Sequence, residues 1–201
     1  MYKFSIFLCL QMIVLTGCMT TPTLPESQRP AHWGQVIHGP QNFYQISNFV
    51  YRSEQPNQEL AQLLQTHRIE RIINLRSRHK DPTVLDQRHF ELVHIPIHTW
   101  ALDRQDLLHV MKEIQYAQQH EQKVLLHCYH GSDRTGASVA MYRIIFEDWS
   151  IEDAVQEMKY GGYGFHAIWR NIEAIFTPEN IKWIREQLSN PSYDKAVQPK
   201  D

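Results

Sequence analysis

Cys128 and Arg134 bracket five residues in the run His127-Cys128-Tyr129-His130-Gly131-Ser132-Asp133-Arg134-Thr135-Gly136. A thiol and a guanidinium at that spacing can hold a phosphate dianion and attack it. The preceding Lys123-Val124-Leu125-Leu126 reads as a short buried strand. Residues 134–146 read as a helix, with Ala137, Ala140, Met141, Ile144 and Ile145 on one side. Between strand and helix the backbone must curl tightly, and Gly131 and Gly136 leave room for that and for a ligand's close approach. The N–H groups of such a loop and the helix N-terminus converge on one anion. Arg134 adds a planar fork for two oxygens. The same positive field favours the thiolate of Cys128. The predicted substrate cradle is therefore Tyr129, His130, Gly131, Ser132, Asp133 and Arg134, around a Cys128 nucleophile.

The decapeptide resembles the HC-x5-R-[ST]-G signature of the cysteine-dependent tyrosine and dual-specificity phosphatases, with no departure at the defining positions. Tyr51-Arg52-Ser53 through Pro56 is similar to the Y-R-S-x-x-P entry of the atypical dual-specificity type. The resemblance spans residues 43–188 and implies a phosphatase that works without metal or cofactor. Cys128 would attack phosphorus, while Arg134 and the loop amides hold the equatorial oxygens. Thr135 would assist the sulfur as the phosphocysteine is hydrolysed, and His127 would orient the loop. Phosphotyrosine is the first choice of substrate, with phosphoserine, phosphothreonine or a small phosphoester behind it. Phosphoinositides suit lysine-rich pockets, and the variable loop positions hold no lysine. The rival from another class is a catalytically idle lipoprotein that binds phosphate or a phosphoprotein.

A departing alkoxide needs a proton donor. In the family it is commonly an aspartate about 30 residues before the cysteine, a spacing that falls here on His98. The nearest aspartates are Asp103 and Asp106. Asp103 is the predicted acid, although an N-cap role would also explain it. Asp133 is the second candidate, because Asp-Arg-Thr resembles the loop of myotubularin-type lipid phosphatases. His98 is the third, since imidazole titrates near neutrality. His89, His94, His98, His120, His127 and His130 lack the i, i+4 pairing with a carboxylate that marks a zinc helix, so no metal site is expected. Gly161-Gly162-Tyr163-Gly164-Phe165-His166 suits either a helix terminus or a pocket wall.

The elements that position these groups alternate. Residues 43–51 suit one or two short strands, 57–66 a helix capped by Asn57, 69–75 a buried strand, and 82–89 a short helix opened by Pro82. A strand at 92–97 and an amphipathic helix at 103–120 follow, then helices near 151–159, 165–176 and 178–188. This order predicts an α/β three-layer sandwich with a central, mostly parallel sheet, and the active loop at the C-terminal end of its strand.

Outside the domain, residues 4–16 form an apolar run too short to span a membrane but suited to a signal peptide. Leu15-Thr16-Gly17-Cys18 resembles the lipobox of bacterial lipoproteins, which implies cleavage after Gly17 and lipid on Cys18. Met19 follows instead of aspartate, so the resemblance implies an outer-membrane anchor facing the periplasm. Cys128 then remains as the only thiol free of signal or lipid, which avoids disulfides but leaves it open to oxidation. Residues 18–40, rich in Pro, Thr and Gln, read as the lipidated cysteine and a flexible tether of roughly 25 Å span. Residues 41–188 form the domain, and 189–201 a frayed tail. The formal net charge of −2 favours neither nucleic acid nor a polyanionic surface.

Overall fold

The computed structural model describes residues 20–78 and 81–190. The expected signal peptide, Cys18 and residues 191–201 of the expected tail lie outside that range. Six strands make one sheet: β1 (Gln35–His38), β2 (Phe43–Gln45), β3 (Val50–Ser53), β4 (Arg71–Asn74), β5 (Glu91–His94) and β6 (Val124–His127). Their spatial order is β1-β2-β3-β6-β4-β5. β3, β6, β4 and β5 are parallel, with Leu126 of β6 in register with both Arg52 and Ile73. β1 and β2 extend the sheet as antiparallel strands. The helices are α1 (Gln58–Thr66), α2 (Arg104–Gln119), α3 (Asp133–Phe146), α4 (Ile151–Tyr160), α5 (Arg170–Glu173) and α6 (Pro178–Leu188).

Successive strand residues face opposite layers, so each central strand feeds two cores. Tyr51, Ile72 and Leu125 pack with Leu60 and Leu64 of α1 and with Leu85 and Phe90. Val50, Ile73 and Leu126 pack on the other side with Leu107 and Met111 of α2, Met141 of α3, Met158 of α4 and Ile184 of α6. The fold is the expected three-layer α/β sandwich with a mostly parallel central sheet. β6 is sandwiched on both faces and flanked on both edges, which fixes the strand that delivers Cys128. α3 is buried on nearly every side, as suits a helix between the sheet and an outer helix.

Three expectations change. Residues 20–40 are packed rather than a free tether. Thr20 forms an antiparallel bridge with His166, and Thr21 N–H donates to Phe165 O at 2.7 Å. Leu24 N–H donates to Tyr160 O at 3.1 Å, Trp33 is buried, and β1 lengthens the sheet. The expected 165–176 helix shrinks to α5, because Phe165 and His166 pair with this incoming strap instead of coiling. The helix expected from Pro82 is a single 3-10 turn, Asp81–Thr83. Where caps were expected they form: Asn57 Oδ1 accepts from Leu60 N–H at 2.8 Å, and Asp103 caps α2.

Candidate active site

Cys128 is buried at the C-terminal end of β6, and α3 begins five residues later. Between them every loop carbonyl from Cys128 to Ser132 is engaged. Cys128 O faces His127 Nδ1 at 3.1 Å, and Tyr129 O accepts from Gln55 N–H at 3.0 Å. His130 O accepts from Asn42 Nδ2 at 2.9 Å, and Gly131 O from Arg52 Nη2 at 2.5 Å. Ser132 O accepts from Gly136 N–H at 2.8 Å. In a trans peptide the N–H points opposite to the C=O, so outward carbonyls turn the amides toward the concave side. That is an anion cradle made of backbone. Gly131 sits at φ +69°, where a Cβ would lie 2.4 Å from Ser53 O, so only glycine lets the loop lie on β3.

The side chains complete it. Arg134 Nη1 donates to Leu75 O at 3.2 Å and Ile97 O at 3.1 Å, so the chain ends leaving β4 and β5 aim the guanidinium. Its Nε and the Thr135 Oγ1 are buried without a protein partner. A cleft of about 440 Å³ opens here, lined by Gln55, Arg76, Ser77, Arg78, Tyr129 and Arg134. Tyr129 stands exposed at its edge.

Two buried groups beneath the loop have no counterpart in the predicted site. Arg52 is fully buried in β3, with its guanidinium 3.7 Å from the centre of the Tyr163 ring. Burial lowers its pKa from the usual arginine value, and the nearby Tyr163, Glu157 and Cys128 counter that. It therefore places positive charge under the loop and supports the Gly131 carbonyl. Asp81 joins Arg76 to His127: it pairs with the Arg76 guanidinium, and its Oδ2 lies 3.0 Å from His127 Nε2. Arg76 Nε in turn donates to Asn74 Oδ1 at 3.0 Å. A buried arginine in a strand is a signal the sequence carries. The Asp81–His127 and Asn42–His130 contacts join distant segments and leave no local pattern.

The proton-donor candidates are placed as follows. Asp103 is exposed at the start of α2, its Oδ1 accepting from Gln105 N–H at 2.7 Å and Asp106 N–H at 3.1 Å. Asp106 Oδ2 accepts from Asp103 N–H at 3.2 Å, closing a capping box. Burial raises the Asp106 carboxyl above its usual pKa, with the Asp103 charge adding to the rise. Asp103 ends the segment that runs from Ile97, the Arg134 partner, through His98 stacked on Trp100. Asp133 is nearly buried, and His166 engages it through its backbone N–H at 2.9 Å and its ring at 2.9 Å from Oδ2. Those bonds tie the 165–166 wall to the loop and leave Asp133 occupied. Among the described residues no three His, Cys, Asp or Glu side chains gather as a metal cluster.

Residues 50–173 match the dual specificity phosphatase catalytic domain. The chain belongs to the dual-specificity phosphatase family. It is thus a cysteine-dependent phosphatase. It is 30% identical over 177 residues to the dual specificity protein phosphatase TpbA of Pseudomonas aeruginosa, covering 88% of this chain and 80% of that protein. The crystal structure of P. aeruginosa TpbA superposes with TM-score 0.74 at 31% identity, over 81% of this chain and 99% of that one. A cysteine-to-serine variant of TpbA in complex with pTyr also gives TM-score 0.74, at 30% identity and the same coverage.

Proposed function

We propose that the phosphatase hydrolyses phosphotyrosine, and phosphoserine or phosphothreonine with it, through a phosphocysteine on Cys128. The observation that carries this reading is the loop itself, whose outward carbonyls leave its amides, Arg134 Nε and Thr135 Oγ1 for a ligand. The pTyr complex of TpbA supports an aryl phosphate as substrate. The Cys128 thiolate attacks phosphorus as the P–O bond to the alcohol breaks, and Arg134 with the amides stabilises the equatorial oxygens. Asp103, protonated, gives its proton to the leaving oxygen; as the carboxylate it then takes one from the attacking water. The S–P bond breaks, the Thr135 hydroxyl assisting the sulfur. Tyr129, His130, Gly131, Ser132 and Asp133 shape the cradle. Cys18 carries the lipid anchor, on the outer membrane facing the periplasm; the lipobox resemblance supports that location.

Rapid quench with a phosphotyrosyl peptide tests the chemistry. A phosphate on the Cys128 peptide, seen by mass spectrometry, and no turnover by Cys128→Ser are expected. Turnover by that variant at the rate of the unaltered enzyme overturns the covalent route.

A further inference from the structure

Six large apolar side chains among the described residues are exposed; of these Tyr129 (60%) lines the cleft, and Trp100 (68%) and Ile168 (57%) stand on segments bonded to the active loop. They come from three separate segments. Tyr129 lines the cleft with Arg134, and Trp100 follows Ile97 and His98 on the Arg134 side. Ile168 follows His166, which holds Asp133, and Asn171 Nδ2 donates to Thr99 O at 2.8 Å, which fastens this segment beside Trp100. The exposed cation Arg78 lines the cleft, and the exposed Arg170 belongs to the segment of Ile168. Trp and Tyr on a surface with nearby arginines suit the boundary between water and lipid headgroups.

The chain's N-terminal path supplies the second observation. The segment leading from Cys18 docks at Thr20 onto His166, so it arrives at this same face. Only Met19 separates Cys18 from Thr20, and an extended chain of two residue steps reaches about 7 Å at most. A lipid on Cys18 would therefore enter the bilayer close to the mouth of the cleft, on a short lead rather than a tether of roughly 25 Å. Resting on the proposed Cys18 anchor, we infer that the phosphatase lies with its cleft-bearing face on the phospholipid surface, with Trp100, Ile168 and Tyr129 in the headgroup layer. The substrate class follows: phosphorylated segments of envelope proteins that emerge next to the bilayer reach the cleft more readily than freely diffusing ones.

The mature lipoprotein, produced from the full chain, is reconstituted into phosphatidylethanolamine–phosphatidylglycerol vesicles whose acyl chains are brominated near the headgroup. Tryptophan emission should be quenched, and Trp100→Phe should remove more than half of that quenching, because Trp33 is buried and Trp149, Trp169 and Trp183 pack against the core. Ile168→Ser should also weaken quenching, with activity on nitrophenyl phosphate in detergent unchanged. Suppose instead that vesicle-bound protein, with lipid found on Cys18 by mass spectrometry, shows no Trp100-dependent quenching. If acrylamide then reaches Trp100 as freely as in detergent, the orientation is refuted while the anchor stands, and the face is left open to a protein partner. Mature protein without lipid on Cys18 refutes the anchor and the orientation together.

Discussion

At the scale of single residues, the nucleophile and its arginine are legible because the chemistry demands contiguous sequence: one loop must supply thiolate, amides and guanidinium. The supporting charges are not, since Asp81 meets His127 across 46 residues. Asp81 accepts from Arg76 and faces His127, and all three are buried, His127 completely. Asn in its place offers one oxygen and two more donors, so one buried donor loses its acceptor. Asp81→Asn should cost about 3 kcal/mol, measured by urea denaturation. It should also lower kcat about tenfold, because the His127 ring that supports the Cys128 carbonyl is no longer held. Asp103 separates two roles by the leaving group. Asn caps helices about as well as Asp, so Asp103→Asn should leave the thermal midpoint nearly unchanged. As the acid, its loss should slow phosphotyrosine hydrolysis by about 100-fold or more, yet barely affect an activated nitrophenyl ester. Run in parallel, Asp133→Asn should slow both substrates alike, as expected for a residue that braces the loop through His166. Near-normal phosphotyrosine rates in both variants would turn attention to His98.

Among the elements, the strands and helices with clear periodicity appear where the pattern places them, within a residue or two for α1, α2, α4 and α6. Those that rest on distant partners do not. Residues 20–34 show no periodicity because they contribute one buried tryptophan and a set of hydrogen bonds rather than an apolar face. Glu157 is their main fastening. Its Oε1 accepts from Gly34 N–H at 2.7 Å and from Tyr163 O–H at 3.0 Å, and its Oε2 from Arg143 Nε at 2.8 Å. Burial and the Glu157 charge keep the Tyr163 hydroxyl protonated well above the usual tyrosine range. Arg143 Nη2 also donates to His32 O at 3.3 Å, so one ion pair in the interior holds the strap at two points. Removing one partner of a buried pair costs about 3–5 kcal/mol. Glu157→Gln should therefore lower the thermal midpoint by about 10 °C, given roughly 2–4 °C per kcal/mol for a chain of this size. Hydrogen exchange should speed up first at residues 20–34, and trypsin should gain access to Arg29. Uniform loss of protection across the sheet would instead make Glu157 a general core residue with no special hold on the strap. Gly131→Ala belongs to the same scale: the added methyl meets the β3 backbone, so kcat/KM should fall by at least about 100-fold, measured on nitrophenyl phosphate.

For the whole molecule, the α/β order announced a parallel sheet with its ligand site at the strand ends, but composition alone placed the domain boundary too late. A polar, proline-rich stretch reads as a linker whenever its partners lie far away in sequence, and here Thr20, Leu24 and Gly34 bond to residues between 157 and 166. The fold thus begins almost where the proposed anchor would end, so that a lipid on Cys18 would be attached close to the segment that holds Asp133. That coupling gives location a direct test. On the proposed reading of the apolar 4–16 run and Leu15-Thr16-Gly17-Cys18 as a lipoprotein signal, lipid transfer and the cleavage that follows it would require the cysteine. Cys18→Ala should abolish both, so the protein should keep its leader, run larger on a gel and fail to reach the outer membrane on fractionation. The thermal midpoint of the detergent-extracted variant should match that of the unaltered enzyme, because the strap is fastened to the domain by residues from Thr20 onward. A mature N-terminus and membrane distribution identical to those of the unaltered chain would overturn the lipobox reading of Cys18.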